Sequence, residues 1–435
     1  MKRKSLPPDP EATDPQNGSK ANLLGSLGPG LITGASDDDP SGIATYSQAG
    51  AQFGYGLSWV MLFSWPLMAA AQMVSARIGR VTGHGLAGAL HAQGRTLLLR
   101  GMVSLLLIAN VINLGADLSA MADATRLLLP LPQWLMVLCF GVFCIWMQVF
   151  LPYARTVNIL KWLTLSLFAY FATVMIVDVD WRQVARDLVM PDLKLDRDYL
   201  TTIVAVLGTT ISPYLFFWQA AEEAEDVRAY PKRINLLNAP EQADVALTRI
   251  RNDTLVGMGF SNLVALAIIL TTAATLHVAG ITQVQTSAEA AEALRPLAGE
   301  FAFTIFALGI VGTGLLAVPV LAGSAAYAVS ETFHWHTGLS RKPSKARAFY
   351  TTLAVATALG MAFSFAPISP MSALFWAAVV NGVIAVPIMV VMMTTATKAD
   401  VMGPFVVRGS LLIGGWLSTA VMTVASLAMF VMMTL

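Results

Sequence analysis

Charge is what this sequence has least of. Asp, Glu, Lys and Arg make up 12% of its 435 residues, against about 25% in an average soluble domain, and 56% of it is hydrophobic. A soluble chain of this length has too little polar surface to face water, so the composition requires a polytopic membrane protein. The formal net charge is +1, which leaves no electrostatic footprint for nucleic acid. Cysteine is nearly absent. Cys139 and Cys144 lie five positions apart in one apolar segment, on different faces of a helix, so neither a disulfide nor a metal pair is expected and both read as small core residues. No apolar run follows the N-terminal Met-Lys-Arg-Lys, so a cleaved signal peptide is not expected, and 1–21 read as a disordered cytoplasmic tail. No cofactor motif is found.

What is present is apolar length. A spanning helix takes about 20 mostly apolar residues. Eleven segments qualify: Leu23–Tyr55, Leu57–Ala76, Met102–Leu127, Trp134–Tyr153, Val157–Val177, Tyr199–Ala221, Thr254–His277, Phe301–Phe333, Phe349–Phe365, Ala373–Thr394 and Leu411–Leu435. With the N-terminus inside, 21 of the 27 Lys and Arg fall on the inner side. Only Arg126, Arg182, Arg186, Lys194, Arg197 and Arg295 fall outside. That asymmetry places the chain in the plasma (inner) membrane with a cytoplasmic N-terminus.

Two segments are interrupted. The first carries Asp37, Asp38 and Asp39, then Pro40, Ser41 and Gly42, between apolar stretches. Proline lacks an N–H and glycine is a poor helix former, so a continuous helix is not expected. The sixth carries Thr209, Thr210 and Ser212 before Pro213. Five crossings separate the two, so they enter the membrane from opposite sides. Paired interruptions of this kind point to an inverted repeat with a midplane site. An ionisable residue at membrane depth is a functional candidate, and Asp39 is the foremost one. Asp37 and Asp38 fit a solvated or capping role equally well. The bland alternatives are a capped helix end at the membrane surface for the first break and a simple proline kink for the second.

The candidate ligands are all oxygen: the Asp39 carboxylate, the Thr209 carbonyl, the Ser212 hydroxyl and the Asn381 amide of segment 10. Such a set suits hard cations, Mg²⁺ foremost and Mn²⁺ second. Asn381 fits a helix-packing hydrogen bond equally well. In segment 3, Asn110, Asn113 and Asp117 share a helix face. The run Glu222, Glu223, Glu225 and Asp226 reads as a solvated helix end, or else as a focus for cations at the inner exit. Trp218 and Gln219 are expected at the inner vestibule, and His84 and His91 in a solvated loop.

The stretch GPGLITGASDDDPSGIATYSQAGAQFGYGLSW, the later ARIGRVTGHGLA and the GTTISPY break together resemble the Nramp family of divalent-metal transporters. The resemblance runs from about Gly25 to Thr394. It implies a LeuT-type fold of five helices plus five, with the metal as cargo, the bilayer as surroundings and no cofactor. The expected layout is a tail at 1–21, a core at 22–395 with repeats at 22–178 and 199–395, and an additional helix at 396–435. Transition-metal members carry Asp-Pro-Gly-Asn in helix 1; here Gly42 stands at the asparagine ligand. They carry an alanine carbonyl ligand and Met-Pro-His in helix 6; here Thr209 matches the alanine and Ser212-Pro213-Tyr214 replaces the triplet. The pattern resembles the family's magnesium-transporting branch. Asp117 matches a proton-carrying position in helix 3, but the next acidic position is Ala120, and Tyr214 stands where the family has its histidine. The resemblance therefore implies a proton pathway with most links missing. The other functions considered are a sodium-coupled amino-acid symporter of the same fold, a proton-coupled Mn²⁺/Fe²⁺ transporter and an intramembrane aspartyl protease; the last has no second-aspartate motif.

Overall fold

The computed structural model describes residues 33–34, 36–151, 164–230 and 232–434. The expected tail and the start of the first segment lie outside them, as does most of the link between segments 4 and 5. The described secondary structure is helical throughout.

The helices that matter for function are α1 (Pro40–Phe53), α2 (Ser58–Thr82), α3 (Leu86–His91), α4 (Thr96–Arg126), α5 (Gln133–Phe150), α6 (Phe168–Ile176) and α7 (Trp181–Val189). The second half contributes α8 (Arg197–Thr210), α9 (Pro213–Ala229), α10 (Ala243–Thr272), α11 (Ala302–Thr332), α12 (Arg347–Phe363), α13 (Pro370–Ala396) and α14 (Gly409–Thr434). Each of the eleven expected spans carries at least one of these helices, and the sixth carries two, α8 and α9. By length and apolarity alone, eight described stretches can cross a bilayer. The smaller number has local causes. The end of segment 1 and all of segment 2 run together as Pro40–Thr82. Segment 5 lies partly outside the described residues. The helix of segment 9, α12, has only 17 residues.

Helix ends follow local chemistry. Pro40 and Pro213 each occupy a first helical turn, where the missing N–H costs nothing and the fixed φ suits the helix. The chain turns from α2 into α3 through Gly83 at φ +72°, a left-handed conformation that glycine adopts without strain. Prolines inside α2 (Pro66), α11 (Pro319) and α13 (Pro387) are accommodated within continuous helices, as membrane spans tolerate.

The broken pairs lie at the centre. α1 packs against α10, α13 and α8, while α9 packs against α2 and α11. The window of the α8–α9 stretch that qualifies as a span is entirely buried in the protein. α4 lies along α11, α12 and α13 as an outer brace. By contrast α5 shows Trp134, Leu138, Val142, Phe143, Trp146 and Phe150 on its outside. Exposed apolar surface of this extent is the face that meets lipid. Cys139 lies on that exposed side while Cys144 is buried, so only Cys144 is a core residue. The additional helix α14 packs on α2, α8 and α13.

Candidate functional site

The first interruption ends in an N-cap. Asp39 is extended (φ −72°, ψ 171°) and starts α1. Its Oδ1 accepts the Ser41 hydroxyl and the Gly42 N–H, each at 2.7 Å. These satisfy donors that a helix start leaves orphaned. The carboxylate is buried all the same, at 1% exposure. The surface-cap alternative therefore fails: this helix begins inside the protein.

The second interruption mirrors it. α8 stops at Thr210, and Ser212 is extended (φ −80°, ψ 134°) before Pro213 opens α9. Two non-helical residues, Ile211 (φ −119°, ψ 58°) and Ser212, separate the helices, so the break is an interruption of the helix rather than a kink within it. The Ser212 hydroxyl donates back to the carbonyls of Gly208 (2.8 Å) and Thr209 (2.7 Å), which helix termination would leave unpaired.

The two breaks meet. The Tyr214 hydroxyl donates to Asp39 Oδ2 at 3.1 Å and lies 3.3 Å from the Ser36 carbonyl. A methyl group placed on Gly42 would sit 3.3 Å from Thr209 Oγ1 and 3.2 Å from the Tyr46 ring. The glycine keeps the crossing close. Asp39 thus lies beside Tyr214, and Gly42 beside the Thr209 hydroxyl, while the Ser212 hydroxyl is turned back onto its own helix end. Gly42 offers no side-chain ligand, and its N–H is committed to Asp39. Tyr214 lies against the carboxylate itself and occupies one acceptor position of Asp39 Oδ2.

Asn381 is engaged elsewhere. Its amide pairs reciprocally with Asn113, at 2.9 and 3.1 Å, joining α13 to α4. This is the helix-packing arrangement, made on the turn of α13 that lies against Gly208. Asn110 bonds the Leu321 carbonyl and Ser324 of α11, so the polar face of segment 3 divides between two neighbours. Asp117 is fully buried with neither oxygen hydrogen-bonded. It lies close enough to Asp39 and Tyr214 to interact with them electrostatically.

Three sequence expectations change. Asp37 and Asp38 are buried, at 0% and 2% exposure, and neither is solvated. They share the Ser261 hydroxyl of α10, at 2.6 and 3.1 Å. Sequence spacing gives no hint of this, because Ser261 lies over two hundred positions away. The acidic run after segment 6 is not a solvated helix end either. Glu223 pairs with Arg249 at 2.6 Å, and Asp226 pairs with Arg233 and lies 3.7 Å from Arg249. Glu225 accepts from Tyr327, from Leu339 N (3.2 Å) and from Ser340 N (2.6 Å). Charges that have partners at hand are spent on a latch between α9, α10 and the segment after α11. Lastly, His91 is half-buried, edge-on to His334; only His84 is exposed as expected.

A cavity of about 240 Å³ opens beside α1 and α8, lined by Ala44, Gln48, Asp198, Thr201 and Thr202 and capped by Trp376. It lies towards the Arg197 end of α8. On the other side Trp218 and Gln219 are buried. Gln219 accepts the Thr33 hydroxyl and Trp218 packs edge-on to Tyr327. Both are packing residues, one of the two roles expected of them. Tyr46 was not singled out by sequence, yet its ring lies beside Gly42. The spacing of four residues from Gly42 on one helix face was the available signal.

Among the described residues no three of His, Cys, Asp and Glu gather as a metal cluster. A site at the breaks would therefore rest on one carboxylate and neutral oxygens, a donor set suited to hard cations that keep some water.

Known proteins bear on this arrangement. The divalent metal cation transporter MntH of Deinococcus radiodurans is 26% identical over 407 residues, 91% of this chain and 86% of that protein. MntH of Acidiphilium cryptum is 29% identical over 307 residues, 68% of this chain; the match spans just under two thirds of that relative, 66%. The solved manganese transporter of Eremococcus coleocola, in complex with an aromatic bis-isothiourea compound, superposes with a TM-score of 0.70 at 18% identity, covering 93% of this chain and 86% of that one. Mhp1, a nucleobase-cation-symport-1 family transporter, superposes with a TM-score of 0.52 at 13% identity, covering 93% and 92%. The fold is thus the LeuT-type plan with helices 1 and 6 broken. A family model described as natural resistance-associated macrophage protein-like matches residues 30–432, and the chain belongs to the Nramp family.

Proposed function

We propose that this protein carries divalent metal cations across the membrane by alternating access, binding the ion between the two helix breaks. The observation that carries the reading is the junction itself. One buried carboxylate, Asp39, faces the end of α8 across a hydrogen bond from Tyr214. The Thr209 hydroxyl lies beside Gly42, three residues on in the same helix start, and the Thr209 carbonyl and Ser212 hydroxyl are the further ligands of this reading. The relatives' names, divalent metal cation transporter and manganese transporter, support the class of cargo.

The oxygen-only set favours Mg²⁺ and Mn²⁺ over softer ions. Mg²⁺ dehydrates reluctantly and is held by one or two carboxylates plus retained waters, which suits a single aspartate beside Gly42. Proton coupling is weak or absent in this reading. Asp117 is the one buried carboxylate of helix 3 beside the site, Ala120 breaks the chain of titratable groups, and Tyr214 holds the family's histidine position. Import through the plasma (inner) membrane, with the N-terminus in the cytoplasm, accords with the distribution of Lys and Arg.

The test is flux into liposomes containing the purified protein, with Mg²⁺, Mn²⁺ and an internal pH dye. Expected is saturable, mutually competitive uptake of both ions driven by the metal gradient alone. Stoichiometric acidification would overturn the coupling assignment, and uptake of neither ion would overturn the cargo.

A further inference from the structure

Four of the five histidines of the chain surround one cavity that the transport reading does not use. His84, His91, His334 and His336 line a space of about 510 Å³, together with Arg228 and Arg341. The cavity lies where the end of α9, the α2–α3 turn and the segment after α11 meet, on the side of the protein that carries most of the basic residues.

Its lining is rich in donors and poor in acceptors. Glu331 is the one carboxylate there, and its oxygens already accept the N–H groups of Gly85 (2.7 Å) and Gly88 (2.9 Å). Arg228, close enough to interact with that carboxylate, balances its charge and is steadied by Thr337 at 2.9 Å. Glu331 is thus shared by two backbone N–H groups, Arg228 and His84, and no second carboxylate lines the cavity for Arg341. His91 Nδ1 is buried with no hydrogen-bond partner. His334 is the single non-glycine residue at positive φ (+57°) among those described. This is the left-handed cap that ends α11, where the Trp335 N–H returns to the Ser330 carbonyl at 2.8 Å, and it turns the histidine-bearing segment back over the helix end. Four imidazoles suggest a transition metal at first sight. Two guanidinium groups in the wall oppose a cation, however, and no three His, Cys, Asp or Glu side chains among the described residues gather as a metal cluster.

We propose that this cavity binds a phosphate-bearing anion, with Arg341 and His336 as its principal contacts. Guanidinium matches phosphate oxygens through paired N–H donors, and Trp335 supplies an aromatic wall. The occupant joins α9, the half-helix that carries Tyr214, to the segments on either side of it. The source is a soluble phosphate compound or an anionic lipid headgroup.

The experiment uses the full chain in detergent, in buffer free of divalent cations, titrated calorimetrically with pyrophosphate and with ADP. In parallel, nanodiscs of phosphatidylcholine with and without phosphatidylglycerol are scored for retained lipid by native mass spectrometry. The variants are Arg341→Ala with His336→Ala, both exposed, and Arg408→Ala as a basic-residue control outside the cavity. Expected is saturable binding that the double variant weakens at least tenfold and the control leaves within twofold. Pyrophosphate or ADP binding identifies a soluble ligand; selective phosphatidylglycerol retention alone identifies a headgroup. The proposal is overturned by absence of both, by equal binding in the double variant, by equal loss in the control, or by stoichiometric Zn²⁺ binding in place of phosphate. Binding is measured without transport, so failure of the cargo assignment leaves this result independent.

Discussion

Tyr214 and Asp39, 175 positions apart in the chain, are joined by a 3.1 Å hydrogen bond that links one helix break to the other. The hydroxyl occupies a lone pair on Asp39 Oδ2 that an incoming cation would also use. Binding must therefore displace it, and the free energy of a hydrogen bond to a charged group, about 1.5–3 kcal/mol, opposes the ion. Tyr214→Phe should tighten Mn²⁺ binding about tenfold in calorimetric titration. Weaker binding would mean that the tyrosine holds Asp39 in its ligating orientation.

Asp39→Asn should abolish Mg²⁺ and Mn²⁺ uptake while leaving the protein folded. Asparagine caps helices about as well as aspartate, so the Gly42 N–H keeps its acceptor while the ion loses its charge partner. Liposome flux and a melting curve check the two halves separately. Normal uptake would remove Asp39 from the site.

Ser212→Met should weaken Mg²⁺ transport and strengthen binding of Cd²⁺ and Mn²⁺. A thioether offers nothing to Mg²⁺ and fills space that a retained water needs. The structure adds a second effect: the carbonyls of Gly208 and Thr209 lose the hydroxyl that now bonds them. Uptake of Mg²⁺ in competition with Cd²⁺, at fixed potential and pH, reads the preference. An unchanged ratio would place Ser212 away from the ion.

Asn381→Ala should lower stability by about 1–3 kcal/mol, because the buried Asn113 amide loses a partner. Metal affinity should stay within about twofold. Complete loss of metal binding in a variant that still folds would show that Asn381 turns to the ion during the cycle.

Arg249→Ala leaves Glu223, whose side chain is 1% exposed, without its 2.6 Å partner. Breaking one side of a buried ion pair costs about 3–5 kcal/mol, so the melting temperature should fall by several degrees. Restoration by Arg249→Ala combined with Glu223→Gln is expected, since the uncompensated charge is then gone. An unaltered melting temperature in the single variant would show the pair to be solvated.

Much of this architecture is local chemistry and therefore legible in the chain. Apolar length and the scarcity of charge dictate a membrane protein, and the polar residues that precede Pro40 (Asp37 to Asp39) and Pro213 (Thr209, Thr210 and Ser212) mark the two interruptions, whereas Pro66, Pro319 and Pro387, in apolar surroundings, are absorbed into continuous helices. The oxygen character of Asp39, Thr209 and Ser212 is a property of the residues themselves. Partnership is not. Whether Asn381 faces an ion or Asn113, whether Asp37 and Asp38 meet water or Ser261, and whether Glu223 is solvated or bound to Arg249 depend on which distant helix lies alongside. Sequence spacing within one helix carries no information about that neighbour. The tertiary structure decided those partners, because burying a polar group at membrane depth is so costly that it takes whatever donor or acceptor the packing of the helices brings within reach.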